Sequence, residues 1–245
     1  MRSAFGLLRS LWLYRRPGRQ RGLRRLYAPF VGEGDLVFDI GAHVGDRTLA
    51  FAALGGRVVA VEPQPMLAAW LRRNLAAKGQ IEVLEQAVGA EAGAGELQVS
   101  RATPTVSSMN ARWTRDIGTH NPGFAGVRWD SRIEVPVTTL DRMIDTHGRP
   151  RFCKIDVEGH EADVLVGLSQ PLEVVSVEFV AGALDVAQAC VDRLDQLGDY
   201  RFNWVIGEQR TFRWKQWRSG DDVREWLASG ADGVASGDLY ARLAS

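Results

Sequence analysis

The chain has 245 residues, of which 45% are hydrophobic and 24% charged. That balance belongs to a globular protein with room for a sizeable core and excludes a disordered or fibrous chain. Lysine plus arginine number 30, as do aspartate plus glutamate, so no overall charge draws the molecule to nucleic acid.

The charge is uneven along the chain. Residues 1–30 hold eight arginines (Arg2, Arg9, Arg15, Arg16, Arg19, Arg21, Arg24 and Arg25) and no acid. The remainder therefore carries an acidic excess, and the chain divides into a basic N-terminal helical arm, 1–30, and a domain, 31–245. Within the arm, Phe5, Leu8, Leu11 and Trp12 fall at helical spacing over 4–14 until Pro17-Gly18 breaks the pattern. Such a stripe is suited either to packing over the domain or to weak contact with an anionic membrane surface. The first apolar run is broken by Arg9 with no small-residue cleavage site after it, and no stretch reaches transmembrane length, so the expected location is the cytoplasm. Cys153 and Cys190 lack metal-type spacing and read as buried thiols in a reducing compartment.

A short helix is predicted from about Arg21 to Tyr27. Then Leu36 to Ile40 reads as a strand, Asp46 to Leu54 as a helix, Val58 to Glu62 as a strand and Met66 to Ala77 as a helix. Ile81 to Val88 reads as a third strand. From Gly89 to Val137 the pattern weakens. Gly93 and Gly95 suggest a tight turn in a hairpin, and 101–131 reads as a long substrate or lid loop. Regularity returns with a helix from Leu140 to Thr146, a strand from Phe152 to Val157 and a helix from Glu161 to Gly167. A strand over Val174–Phe179, a helix over Ala187–Leu197 and late strands at Tyr200–Val205 and Asp238–Arg242 complete the series. Continuous apolar strands alternating with helices predict an α/β fold whose mostly parallel sheet is covered on both faces.

Two constellations carry chemistry. The first is Asp39-Ile40-Gly41-Ala42-His43-Val44-Gly45, a strand tip running into a glycine loop and then a helix. Gly41 and Gly45 allow a sharp turn and close approach of a ligand, and ligands of open α/β sheets bind outside the carboxyl ends of the strands. One unit later the second strand ends in Glu62, whose carboxylate can accept both hydroxyls of a ribose. NAD and S-adenosylmethionine share that feature. The loop lacks the G-x-G-x-x-G dinucleotide fingerprint, and a carboxylate at Asp39 would repel a pyrophosphate. A phosphate-free cofactor carrying an ammonium and a sulfonium suits it better. The second constellation is Lys154-Ile155-Asp156-Val157-Glu158-Gly159-His160-Glu161, where strand alternation is expected to send Lys154, Asp156 and Glu158 to one side, facing the same crevice. Crowded ionisable groups of this kind suit acid–base work. Asp156, Glu158, His160 and Glu161 are hard-ion ligand types but equally common solvated charges, and no metal is assigned.

Phe38 to Gly45, Val61-Glu62-Pro63, Ala87-Val88-Gly89, Val137 to Asp141, Lys154 to Glu161, Glu178-Phe179 and Gly237 to Ala241 occur in an order and spacing that resembles the FkbM family of methyltransferases. The family commonly has Asn where this chain has His43. The resemblance, over about residues 35–242, implies a Rossmann-like class I methyltransferase fold. Its sheet would be mostly parallel and seven-stranded, with an antiparallel C-terminal strand. The resemblance also implies S-adenosylmethionine as cofactor and a hydroxyl acceptor on a sugar, glycan or natural product. The cofactor is then expected at Asp39, Gly41, His43, Gly45, Glu62, Pro63, Ala87 and Asp156. His160 is the candidate base for the acceptor hydroxyl, with Asp156 or Glu158 as alternative or orienter. Ser107, Ser108, Trp113, Trp129 and Lys154 are candidates for acceptor binding, since sugar faces pack on aromatic rings. An amine acceptor, an NAD-dependent oxidoreductase and a non-catalytic binding module are the competing readings.

Overall fold

A computed structural model describes residues 18–76, 80–103, 106–207 and 209–244. The predicted helix over 4–14, with Phe5, Leu8, Leu11 and Trp12, lies outside the described residues.

The strands alternate strictly between two cores. In β1 (Leu36–Ile40) and β7 (Phe152–Ile155) every residue is buried. Val37 and Phe152 point into one hydrophobic core, while Phe38, Ile40, Cys153 and Ile155 point into the other. β2 (Arg57–Val61) and β8 (Val174–Val180) split in the same way. A strand buried on both faces needs helices on both. α1 (Arg19–Tyr27), α2 (Asp46–Ala53) and α3 (Pro65–Asn74) cover the first face through Leu23, Tyr27, Phe51 and Leu71. α5 (Leu140–His147), α6 (Glu161–Val166), α7 (Leu184–Leu197) and α8 (Gly220–Ala228) cover the second. Phe152 is wholly buried, its ring centroid 5.5 Å from that of Phe51 and 5.6 Å from that of Tyr27. Burial of such a side chain contributes about 1.5–3 kcal/mol. The described part of the basic segment is therefore core-bearing: Leu23, Leu26 and Tyr27 pack inward while Arg21, Arg24 and Arg25 face solvent.

With β3 (Ile81–Leu84), β9 (Tyr200–Ile206) and β10 (Ser236–Leu243), the main sheet has seven strands in the order β3-β2-β1-β7-β8-β10-β9. Pairing is parallel from β3 to β8, and β10 runs antiparallel to both neighbours. This is the sheet that the family resemblance implies. The chain moves outward from β1 in one direction through β2 and β3, then returns to β7 on the other side of β1. The switch point is thus the β1–β7 junction, where Ile40 is in register with Ile155, and the crevice at the carboxyl ends of these two strands is the expected ligand site.

A second, three-stranded sheet corrects several expectations. The single strand predicted over 81–88 is two: β3 stays with β2, but β2 offers no partner beyond Val61, and the chain crosses to form β4 (Ala87–Val88) on β6 (Ser131–Thr138). Gly93 and Gly95 do not make a turn; they lie inside β5 (Gly93–Val99), opposite Val137 and Val135. A Cβ on Gly95 would sit 2.4 Å from Met109 Cε, so this glycine makes room for a side chain. The stretch 101–131 is not one loop. It contains α4 (Ala111–His120), whose N-terminus is capped by the Asn110 side chain accepting from Trp113 N, and a 3-10 turn at Pro122–Phe124.

Candidate active site

An open cleft with about 1020 Å³ of empty space, part of it outside the mouth, lies at the β1–β7 switch point. Its inner wall is the loop after β1. Gly41 N and Ala42 N both donate to Val61 O, at 2.9 and 3.0 Å, which lays the loop across the end of β2. Gly41 has φ 83°, and a Cβ there would fall 1.9 Å from Asp156 O, so only glycine lets the β1 and β7 loops approach this closely.

The same loop aims Glu62. His43 N donates to its Oε2 at 2.9 Å and Gln64 N to its Oε1 at 3.0 Å, and the Gln64 side chain adds a further bond, so both oxygens are held in place. Glu62 is 3% exposed, and burial pushes its carboxyl up to about 7 despite these donors. Burial pushes the His43 imidazole down to about 4, which keeps it neutral at pH 7. Asp39, at the tip of β1, accepts from Thr48 Oγ1 at 2.5 Å in the first turn of α2 and is raised by burial against the pull of Lys154.

The opposite wall is the turn after β7. The strand ends at Ile155, so alternation does not extend through Glu158 as expected from the sequence. Lys154 is 1% exposed and lies outside the cleft lining; its Nζ donates to Asp156 Oδ2 at 2.6 Å. Burial opposes ionisation of Asp156, but Lys154 and then Arg47 hold it below the ordinary carboxylate range. Glu158 and Gly159 take left-handed φ values of 56° and 87°, a strained conformation for a glutamate of the kind that clusters at functional sites. The turn is tied from both sides. Glu161 Oε1 accepts from Val157 N and Gly159 N at 3.0 and 3.2 Å. Ser108 Oγ donates to Glu158 O at 2.6 Å, and Asn110 Nδ2 to Gly159 O at 2.7 Å.

His160 lines the cleft with Nδ1 3.1 Å from Asp163 Oδ2, which directs Nε2 toward Gly89. Glu178 reaches the same space from β8. Burial, then Asp156, raises both Glu158 and Glu178 well above the usual carboxylate range.

The structure therefore brings most of the sequence-predicted residues to one cleft. Asp39, Gly41, His43, Glu62, Pro63 and Ala87 line it on the loop side; Asp156, Glu158, His160 and Ser107 line it on the other. Gly45 stands behind the loop, where a Cβ would meet Leu75 at 2.3 Å. Ser108 and Lys154 act through backbone and side-chain bonds to the lining rather than on it. Trp113 and Trp129 are not in the lining either. They stack edge to face at 5.9 Å and pack with Ile117, Phe124 and Val180. Trp113 also covers Gly159, where a Cβ would fall 2.3 Å from its ring.

Three charged lining residues are not among the sequence-predicted site residues: Asp46, Arg47 and Glu178, the last quoted only within the family resemblance. Glu178 is a carboxylate inside the apolar strand Val-Val-Ser-Val-Glu-Phe-Val, which is the signal that marks it. Arg47 is the only arginine of the lining and lies 3.4 Å from Asp46 and 3.9 Å from Asp238. Six carboxylates share that lining with it: Asp39, Asp46, Glu62, Asp156, Glu158 and Glu178.

A family model described as "Methyltransferase FkbM domain" matches residues 39–232. A curated relative, the hexuronic acid methyltransferase AglP of Haloferax volcanii, is 24% identical over 173 residues, covering 70% of this chain and 64% of the relative. The solved structure of methyltransferase FkbM from Methylobacillus flagellatus superposes with a TM-score of 0.51 at 15% identity, covering 85% of this chain and 43% of that one. That likeness establishes a shared fold. The chain spans just under two thirds of the first relative and under half of the second.

Proposed function

Because the chain belongs to the methyltransferase FkbM domain family, we propose that it transfers the methyl group of S-adenosylmethionine to a hydroxyl of a sugar, a glycan or another small natural product. The cleft's charge carries this reading. Asp156 and Asp46 are held ionised in the lining by neighbouring cations, and the carboxyls of Asp39, Glu62, Glu158 and Glu178, raised by burial, regain their charge beside a cationic ligand. Such a lining suits a cofactor bearing an ammonium and a sulfonium better than a pyrophosphate. Glu62, with both oxygens fixed by backbone N–H groups, fits a ribose diol.

The bound cofactor supplies a methyl carbon already activated by its sulfonium. The protein's own task is alignment and one proton. Holding the acceptor oxygen in line with the methyl carbon can supply about 7–11 kcal/mol. When bound, the cofactor would supply the methyl group and leave as its neutral thioether, while His160 Nε2 would take the proton of the acceptor hydroxyl. Asp163, 3.1 Å from Nδ1, steadies the imidazolium that results. Asp39 and Asp156 are assigned to the cationic end of the cofactor, and Ser107 to the acceptor. Residues 31–245, together with the core-packed helix Arg19–Tyr27, are assigned to this methyl-transfer domain, and the basic residues before that helix to an arm for weak contact with an anionic membrane surface. The cytoplasm is the assigned location, and among the described residues no helix is long and apolar enough to cross a membrane.

Calorimetry with S-adenosylhomocysteine and with NAD tests the cofactor. Binding of the first alone is expected; binding of NAD alone would sink the reading. Acceptors are then screened by methyl transfer, beginning with hexuronic acids because the curated relative is named for them. His160→Ala is expected to lower the rate about 10²–10⁴-fold with S-adenosylhomocysteine affinity unchanged. An amine acceptor is the second reading, favoured by the acidic acceptor wall; it predicts a rate nearly indifferent to His160→Ala.

A further inference from the structure

Three carboxylates converge where the acceptor wall meets the floor of the cleft. Asp156 leaves the end of β7, Glu158 sits in the left-handed turn and Glu178 reaches across from β8. One oxygen from each lies within 4.8 Å of the other two. Lys154 donates to one oxygen of Asp156, and Glu178 shares a hydrogen bond with Asp156. Glu158 Oε2 and Glu178 Oε2 are both buried and accept no hydrogen bond from the protein. Buried polar atoms are almost always satisfied, so two orphaned carboxylate oxygens in one cluster mark the place of a missing partner. The backbone enforces the crowding: Ser108, Asn110 and Glu161 fix the turn that delivers Glu158 to its like-charged neighbours.

We propose that Asp156, Glu158 and Glu178 bind one hard divalent cation, of the magnesium or manganese class, which holds the acceptor through two adjacent oxygens. The donor set is all carboxylate oxygen, the choice of a hard ion. Three protein ligands on one side leave the remaining positions open to water and acceptor. This selects an acceptor with vicinal hydroxyls, or a hydroxyl beside a carboxylate, over an isolated alcohol. The inference rests on the cleft being the methyl-transfer site and names the substrate class for it.

The test is Mn²⁺ binding to the metal-stripped full chain, followed by electron paramagnetic resonance of free Mn²⁺ and by calorimetry. Wild type is expected to bind a single ion. Glu158→Gln and Glu178→Gln are each expected to weaken binding at least about tenfold, and the double variant to abolish it. Glu134→Gln, on the exposed side of β6, serves as the control and leaves it unchanged. Glutamine keeps the shape of each glutamate, and metal-free melting temperatures measured beside binding separate lost binding from unfolding. Absence of Mn²⁺ binding by wild type, or undiminished binding by the double variant, overturns the proposal. S-adenosylhomocysteine binding in chelator separates the two readings: cofactor without Mn²⁺ overturns only the metal site, and Mn²⁺ without cofactor overturns the methyl-transfer reading beneath it.

Discussion

Lys154→Met removes an ammonium while keeping most of the side chain's volume. In the folded protein Lys154 is 1% exposed and its Nζ lies 2.6 Å from Asp156 Oδ2, whose side chain is 24% exposed. Breaking a buried pair by deleting one partner costs about 3–5 kcal/mol, because the surviving charge is left uncompensated. Partial exposure of Asp156 argues for the lower end, about 3 kcal/mol. For a domain of this size each kcal/mol lowers Tm by about 2–4 °C, so a drop of about 6–12 °C is expected by calorimetry at neutral pH. The pH dependence adds a signature. Lys154 is raised in the folded state, so its contribution is complete below the ordinary lysine value and is lost as pH rises through the folded one. Asp156 is lowered, so its contribution is present above the ordinary carboxylate value and disappears as pH falls through the folded one. The gap between wild type and variant should therefore be flat from about pH 5 to 9 and close in strong acid. A Tm loss under about 3 °C, or a gap that stays constant into strong acid, would refute the account of this pair.

Glu62→Gln is expected to weaken S-adenosylhomocysteine binding about 10–100-fold, the worth of charge-assisted hydrogen bonds. Because Glu62 is raised to about 7, wild-type affinity should fall as pH drops through that value, and the variant should lose this dependence in calorimetric titrations. Gly41→Ala, which drives a Cβ against Asp156 O at a φ of 83°, is expected to cost about 2–5 kcal/mol from left-handed strain plus overpacking; a melting temperature unchanged from wild type would contradict the contact. Asn110→Ala removes both the cap of α4 and the donor to Gly159 O. It should cost about 1 kcal/mol of stability and raise the acceptor KM while leaving S-adenosylhomocysteine affinity within about twofold; an equal loss of both affinities would count against a role confined to the acceptor wall.

Much of this architecture is legible from residues alone because local pattern and tertiary need coincide there. β1, its glycine loop and Glu62 form one contiguous βαβ unit, and the apolar strands cannot be other than buried. The small second sheet is harder to read. β5 carries two glycines and is half-exposed, so its alternation is faint, and β4 is only two residues long. α4 does announce itself, through Asn110 as cap and Trp113 and Ile117 four apart, but proline and glycine on either side obscure it. Glu178 belongs to the cleft only because β8 lies beside β7, twenty-two residues after Asp156, and no spacing rule links the two. The assignment of Lys154 to the acceptor assumes a strand two residues longer than the one formed.

The turn carrying Glu158 and Gly159 is suspended between two bodies. Glu161 anchors it to the parallel-sheet domain, while Ser108, Asn110 and the face of Trp113 press on it from the inserted segment. If this turn lines the acceptor side as proposed, residues 101–131 should not be exchangeable wholesale without disturbing it. A transplanted segment has to arrive with a hydroxyl and an amide at the right heights and a flat ring above the glycine, or the carboxylates beneath lose their aim. Chimeras that respect those three fixed points should exchange substrates, and chimeras that ignore them should bind cofactor and do nothing further.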